Sequence, residues 1–277
     1  VGQSRRRTID YVSLADRYVH YWNAVAEKVT AKYPHALFSI DAYSYYSDPP
    51  VREKLHPNLV LRYVPENTDA WTGWRKAGAK KIFWRPNILL AGRRDGELHV
   101  MVERLSRLMN FFAQNGMLAT DFDSIIHSWA VQGLNYYAAA RLNWDPYLSA
   151  DDILESYCRP GFGAGADLVK RYFLRIQDIT ADPDRDFSLR ALSELRELLN
   201  AADRAAADEE EVGDRIAFLR MGLNFTLLQR TLDRMSDRAR ENPKTVDRER
   251  ARELLELNYF LMRDIVRNHN LAVNVSY

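Results

Sequence analysis

The chain has 277 residues, 47% of them hydrophobic, which is enough to bury one large core or two ordinary ones. Lysine and arginine number 39 against 38 aspartates and glutamates, a formal charge of +1, so no overall field recruits nucleic acid or an acidic membrane surface, and neither partner is expected. The one cysteine, Cys158, excludes an internal disulfide and any multi-cysteine zinc site, and with no signal peptide in view the expectation is a cytoplasmic protein or one exported within a longer precursor.

Residues 12–33 carry Leu14, Tyr18, Tyr21, Trp22, Val25 and Val29 at three- and four-residue spacings, which predicts an amphipathic helix closed by Pro34. The run ALFSIDAY at 36–43 predicts a buried strand, followed by an aromatic loop that ends at Pro49 and Pro50. Further on, 58–64 reads as a second strand, 68–77 as a short helix, 81–85 as a third strand, 98–115 as a long helix and 117–120 as a fourth strand. That alternation is the mark of a parallel sheet. Beyond Pro146 the pattern is helical alone, over 151–159, 166–180, 188–207, 210–240 and 246–270, with stripes such as Leu192, Leu195, Leu199 and Ile216, Leu219, Leu223 that suit a small bundle. The run GFGAG at 161–165 follows a helix and lacks the Lys-Ser/Thr ending of a phosphate loop, so it reads as a turn. DEEE at 208–211 reads as a solvated helix start, and 271–277 as a possible final strand.

Asp121 and Asp123 follow the predicted fourth strand and are two apart, so both point the same way in extended geometry. A carboxylate pair whose environments differ can divide acid and base roles, as glycoside hydrolysis requires. The competing reading is structural: one aspartate caps the next helix while the other pairs with an arginine. Tyr43, Tyr45, Tyr46, Trp71, Trp74, Trp84 and Trp129 lie near strand ends or the loops after them, where flat rings with a polar handle suit sugar faces. Arg85 and Asn87 bracket Pro86, and Arg85 can clamp a hydroxyl or carboxylate, or form a salt bridge to a nearby aspartate. His127 could move protons, hydrogen-bond a hydroxyl or be purely structural. Asp41 shares a parity with Tyr43, as Arg62 does with Val64, so alternation leaves open which set faces a ligand. The candidate set is therefore Asp121 and Asp123 for catalysis, with Asp41, Tyr43, Tyr45, Trp84, Arg85, Asn87, His127 and Trp129 for substrate. Cys158 reads as a buried, inert thiol. The chain lacks a His-x-x-x-His spacing, a nucleophile elbow and a dinucleotide fingerprint, so no metal or cofactor is expected.

The strings WRPN at 84–87, GMLATDFD at 116–123, WAVQGLNYY at 129–137, RLNWDP at 141–146 and YCRPGFG at 157–163, with NAVA at 23–26 and DAY at 41–43, form an ordered series. As a set they resemble a bacterial family of unknown function whose members look like glycoside hydrolases, over roughly residues 8–180. Members often carry an α-glucuronidase-like or hexosaminidase-like domain ahead of a barrel. The resemblance implies an α/β fold made of the C-terminal half of a (β/α)8 barrel over 1–147, its four strands being barrel strands five to eight. It further implies a helical domain over 148–277 and a partner in the missing N-terminal half of the barrel. It carries no catalytic assignment, and in similar sugar-cleaving barrels the acid/base carboxylates commonly lie on the fourth strand, upstream of residue 1.

The leading expectation is a carbohydrate-active protein, a glycoside hydrolase or close relative, with a saccharide as ligand. The alternative is a non-catalytic carbohydrate-binding or scaffolding protein on a hydrolase-like fold. A third is an interaction role for the helices of 188–270, whose mark would be an exposed apolar stripe.

Overall fold

The computed structural model describes residues 13–89, 97–123, 129–182, 187–242 and 247–268. Helix α1 (Ala15–Thr30) buries Ala15, Val19 and Ala26 and ends before Pro34. Strands β1 (Phe38–Ala42), β2 (Leu59–Tyr63) and β3 (Lys81–Trp84) form a parallel sheet in that order. Between β2 and β3 runs α2 (Thr68–Lys76), whose first-turn N–H groups from Asp69 and Ala70 are taken up by the Asn67 side chain at 2.9 and 3.0 Å. That is an N-cap, and it fixes where the helix begins.

The expectation of half a (β/α)8 barrel is overturned. The chain is mainly helical around a three-stranded sheet, and the mixed α/β character is the part that stands. Residues 117–120 do not form a regular fourth strand: the Leu118 N–H donates to the Ile82 carbonyl at 2.9 Å, the Trp84 N–H to the Ala119 carbonyl at 3.1 Å and the Asp121 N–H to the Trp84 carbonyl at 2.9 Å, in a register that slips by one residue and closes a single bridge, Trp84 to Thr120. Four residues with an exposed Leu118 bury too little to extend the sheet. The link from β1 to β2 also lacks an α-helical crossover. It holds a single 3-10 turn, Ser44–Tyr46, and Pro49 and Pro50, which cannot propagate a helix. Asp16 on α1 holds this link in place by accepting N–H bonds from Val51, Arg52 and Glu53 at 3.2, 2.8 and 2.9 Å. These bonds, the one from Glu53 foremost, lower its carboxyl below the ordinary 3.8.

Strand register sorts the side chains into two faces. Ile40, Leu61 and Ile82 are aligned, as are Ala42, Tyr63 and Trp84, and all six are buried. Over this face lie Trp71 and Trp74 of α2 and Phe112 of α3 (Val102–Gln114). Tyr63 and Trp71 meet edge to face at 5.2 Å, and Trp84 lies 5.0 Å from Phe112, geometries that the ring quadrupoles favour. The opposite face carries Ser39, Asp41, Val60, Arg62, Lys81 and Phe83, none fully buried.

The remaining helices are α4 (Trp129–Trp144), α5 (Ala150–Phe162), α6 (Ala166–Thr180), α7 (Leu189–Ala205), α8 (Glu210–Glu241) and α9 (Arg248–Asn268). Helix α4 buries residues on every side, as a helix in the middle of a core must. It meets α8 at Gly222, where an added Cβ would sit 2.5 Å from the Ala130 carbonyl oxygen. The buried apolar cluster continues from Ala15 to Leu223.

Sheet and helices are joined by residues 97–101, which belong to no helix or strand. Within it the Leu98 N–H donates to Thr226 Oγ1 at 3.0 Å, the Met101 N–H to Asn135 Oδ1 at 2.9 Å, and Asn135 Nδ2 to the His99 carbonyl at 2.8 Å. Thr180 Oγ1 donates to the Val100 carbonyl at 3.2 Å, and Glu97 pairs with Arg230 of α8 at 2.6 Å, both side chains 3% exposed. Asn135→Ala would leave a buried donor and a partly buried acceptor without their partner. A loss of about 2–4 kcal/mol is expected, read as a lowered midpoint in chemical denaturation.

Candidate functional site

In a parallel sheet all strands end on the same side, and in open α/β sheets ligands bind outside those carboxyl ends. Four chain exits meet there: Tyr43 after β1, Glu66 after β2, Arg85 after β3 and Asp121 after the bridging segment. Neighbouring strands are about 4.8 Å apart, so the row is roughly 14 Å long.

Three of the carboxylates in this row are held by arginines. Asp41 and Arg62 occupy the same rank on adjacent strands and pair at 2.7 Å. Glu66 takes the Arg104 Nε–H at 2.6 Å. Arg85 reaches Asp123 at 2.9 Å through Nη2 and Asn87 Oδ1 at 3.1 Å through Nη1, a forked use of one guanidinium. The two aspartates after the bridge are set by the backbone: the Asp121 N–H donates to the Trp84 carbonyl at 2.9 Å and the Asp123 N–H to the Pro86 carbonyl at 3.2 Å. Asp121 is exposed, and its carboxylate makes no ion pair among the described residues.

Tyr43 and Tyr45 are 47% and 56% exposed and flank Ser44, whose φ of 52° is the single positive value at a non-glycine among the described residues. Left-handed backbone at a serine costs about 1–2 kcal/mol, and such strain tends to gather at binding sites. The loop is further anchored by Tyr18, whose ring stacks on Tyr46 at 4.2 Å and whose hydroxyl accepts the Asp41 N–H at 3.1 Å.

The other predicted residues divide. Trp84 is fully buried, its indole N–H donating to the Pro65 carbonyl at 3.1 Å, and it offers no ring face to a ligand. Trp71 and Trp74 are buried likewise, with N–H groups given to the carbonyls of Asn115 and Ser47. Trp129 is partly exposed, but its ring lies over Gly133 one turn along α4 and its N–H donates to the Tyr157 hydroxyl at 3.1 Å. Burial pushes the Tyr157 phenol up to about 12, so it remains a neutral acceptor. His127 lies outside the described residues. Sequence reasoning missed the roles of Ser44, Arg62 and Arg104. Serine gives no sign of left-handed backbone, and an arginine in a sequence does not name its carboxylate.

Residues 3–174, from before α1 into α6, match the family model described as a domain of unknown function, DUF4838. The chain belongs to this family. The matched region contains the sheet and every residue of the row of strand ends, and α7, α8 and α9 lie beyond it. No curated protein and no solved structure matches the chain. Among the described residues there is no group of three or more His, Cys, Asp or Glu able to hold a metal ion, and no helix is long and apolar enough to cross a membrane.

Cys158 is buried in α5. Burial first, and then the neighbouring Glu155 charge, push its thiol from 9.0 up to about 12. At mildly alkaline pH the folded protein should react with a thiol reagent at least about a hundredfold more slowly than the unfolded chain, because only the thiolate attacks. At Ser44, Ser44→Val should lower stability by about 1–2 kcal/mol, since a β-branched residue tolerates positive φ least. Ser44→Gly should change it by less than about 1 kcal/mol. Thermal and urea unfolding of the two variants provide the comparison.

Proposed function

We propose that the chain is a carbohydrate-active protein whose saccharide site is the row of strand ends from Tyr43 to Asp121. The observation that carries this reading is the pair of exposed tyrosines held on a strained turn beside ordered, arginine-paired carboxylates. Rings of this kind stack on the apolar face of a sugar while hydroxyl and guanidinium groups meet its rim. The earlier resemblance to glycoside hydrolase-like proteins points the same way.

In its hydrolytic form the reading assigns Asp121 as the catalytic carboxylate, with Asp123 and Arg85 orienting substrate. One observation favours the non-catalytic form: glycoside hydrolysis uses two carboxyl groups, and at this end Asp41, Glu66 and Asp123 are each engaged by an arginine.

Calorimetry on a panel of oligosaccharides, run beside a reducing-end assay, separates the two forms. Tyr43→Ala and Tyr45→Ala should each weaken binding by about tenfold, the equivalent of roughly 1.4 kcal/mol, with the far-UV spectrum unchanged. If the protein is a hydrolase, Asp121→Asn abolishes release of reducing ends and retains binding. Binding without release by the wild type identifies the non-catalytic form. Failure of the wild type to bind any member of a broad panel would end the carbohydrate reading.

A further inference from the structure

Among the described residues helix α9 packs chiefly on α8, and it carries more apolar residues than that one contact can cover. Leu254, Leu255, Leu257, Tyr259, Phe260 and Leu261 are spread around most of the helix, whereas a helix that packs on a single neighbour needs one stripe. Leu254 faces α8 and is buried. Leu255, Leu257, Tyr259 and Phe260 are 57%, 53%, 63% and 51% exposed. Burial along α8 stops in the same region: its fully buried residues end at Arg230, although Leu232 and Met235 follow. The eleven residues of α8 after Arg230 span about 16 Å.

On one side of this hairpin the two helices leave a groove of about 600 Å³. Leu227, Leu228, Thr231 and Met235 of α8 line it, with Leu254 and Leu257 of α9. Phe260 stands one turn beyond Leu257 on the same flank of α9, its ring covered in part by Arg263 at 5.1 Å. The face therefore presents a recess and a protruding apolar ridge side by side.

We propose that this face is the interface of a symmetric dimer, in which the α8–α9 hairpins of two copies pack into a four-helix bundle. Three features select a second copy of this chain as the occupant. A two-fold contact requires a surface complementary to itself, and a ridge beside a recess meets that need. The rim charges are mixed: residues 248–260 carry three arginines and three glutamates, and Arg238, Asp247 and Arg250 border the groove. Such a rim repels neither itself nor its copy, whereas a strongly acidic or basic partner would be matched by charge of one sign. On the groove side Leu257 and Phe260, 53% and 51% exposed, run on into the apolar wall formed by Leu227, Leu228 and Met235 of α8, so the apolar surface is continuous across both helices, as the centre of a dimer interface requires.

Sedimentation of the full 277-residue chain from micromolar to high-micromolar concentration should give twice the 32.2 kDa chain mass. Leu257→Glu and Phe260→Glu should weaken dimerisation by at least about a hundredfold, because each would bury an unpaired charge. Both positions are exposed in the single chain, so helix content should be retained in the circular dichroism spectrum. Leu255→Glu, on the other flank of α9, should remain dimeric. A wild type that is monomeric at every concentration overturns the proposal. So does a dimer that survives both groove-side variants, or one that Leu255→Glu disrupts equally. If the wild type is monomeric and deletion of residues 269–277 speeds amide exchange along α9, the occupant is the chain's own tail and the proposal falls.

Discussion

The burial of an irregular segment among helices is the constraint on which the rest of the structure depends. Residues 97–101 belong to no helix or strand, so no regular ladder satisfies their backbone groups, and an unpaired buried polar group is costly. Their partners come from three helices distant in sequence: Asn135 of α4, Thr180 of α6 and Thr226 of α8. The segment is stable only when those helices are already assembled, and once seated it launches α3 from Met101. Helix α3 then places Phe112 against Tyr63, Trp71 and Trp84, which fixes the ends of β2 and β3. Helical packing thus reaches the strand ends through a short chain of direct contacts. Glu97 and Arg230 anchor its first residue. A buried ion pair of this sort adds little net stability, but loss of either partner would strand a charge.

At the strand ends, charge is matched locally. Three arginines near the row each neutralise one carboxylate, one of them supplied by α3 as Arg104 to Glu66. Asp41 meets Arg62 because parallel pairing sets residues 41 and 62 side by side on one face. Asp123 meets Arg85 because the backbone beyond the bridge continues alongside Pro86. Such pairs hold polar side chains in fixed orientation. Asp121 differs: its backbone is pinned to Trp84 while its carboxylate stands in solvent.

Helix α8 is the spine of the helical part, packed by α4, α5, α7 and α9 in turn. Its close approach to α4 at Gly222 leaves no room for a Cβ, which brings the two backbones together where the core is densest. Beyond Arg230 its main neighbour among the described residues is α9, with Arg234 also donating to the Phe187 carbonyl at 3.0 Å, and two helices alone cannot enclose the apolar surface that both present. The interior of one chain ends there for want of a third layer.

Much of the helical architecture was legible in the sequence, because the periodicity of buried residues along a helix is a local property. Helix α6 spans the residues expected after the GFGAG turn, α7 and α8 agree within a turn, and the segments that became β1, β2 and β3 stood out as apolar runs. Cys158 likewise read as buried from its place in a helix. What the sequence could not decide depended on contacts between distant segments. Residues 117–120 have the composition of a strand and do bond to β3 at three backbone groups, but the register slips by one residue between Leu118 and Ala119, so one bridge closes and no continuous ladder forms. Trp84 looked like a ligand platform and proved to be core, since a strand-end residue faces whichever layer packs over its parity. The parity of Asp41 and Arg62 was open until register paired them, and the left-handed turn at Ser44 had no composition signal at all. The sequence by itself determined where chain segments are helical or apolar, because propensity and periodicity are written in neighbouring residues. The tertiary structure alone decided which segments pair, which carboxylates are neutralised and which aromatic rings remain exposed, because those outcomes depend on partners that sequence distance does not reveal.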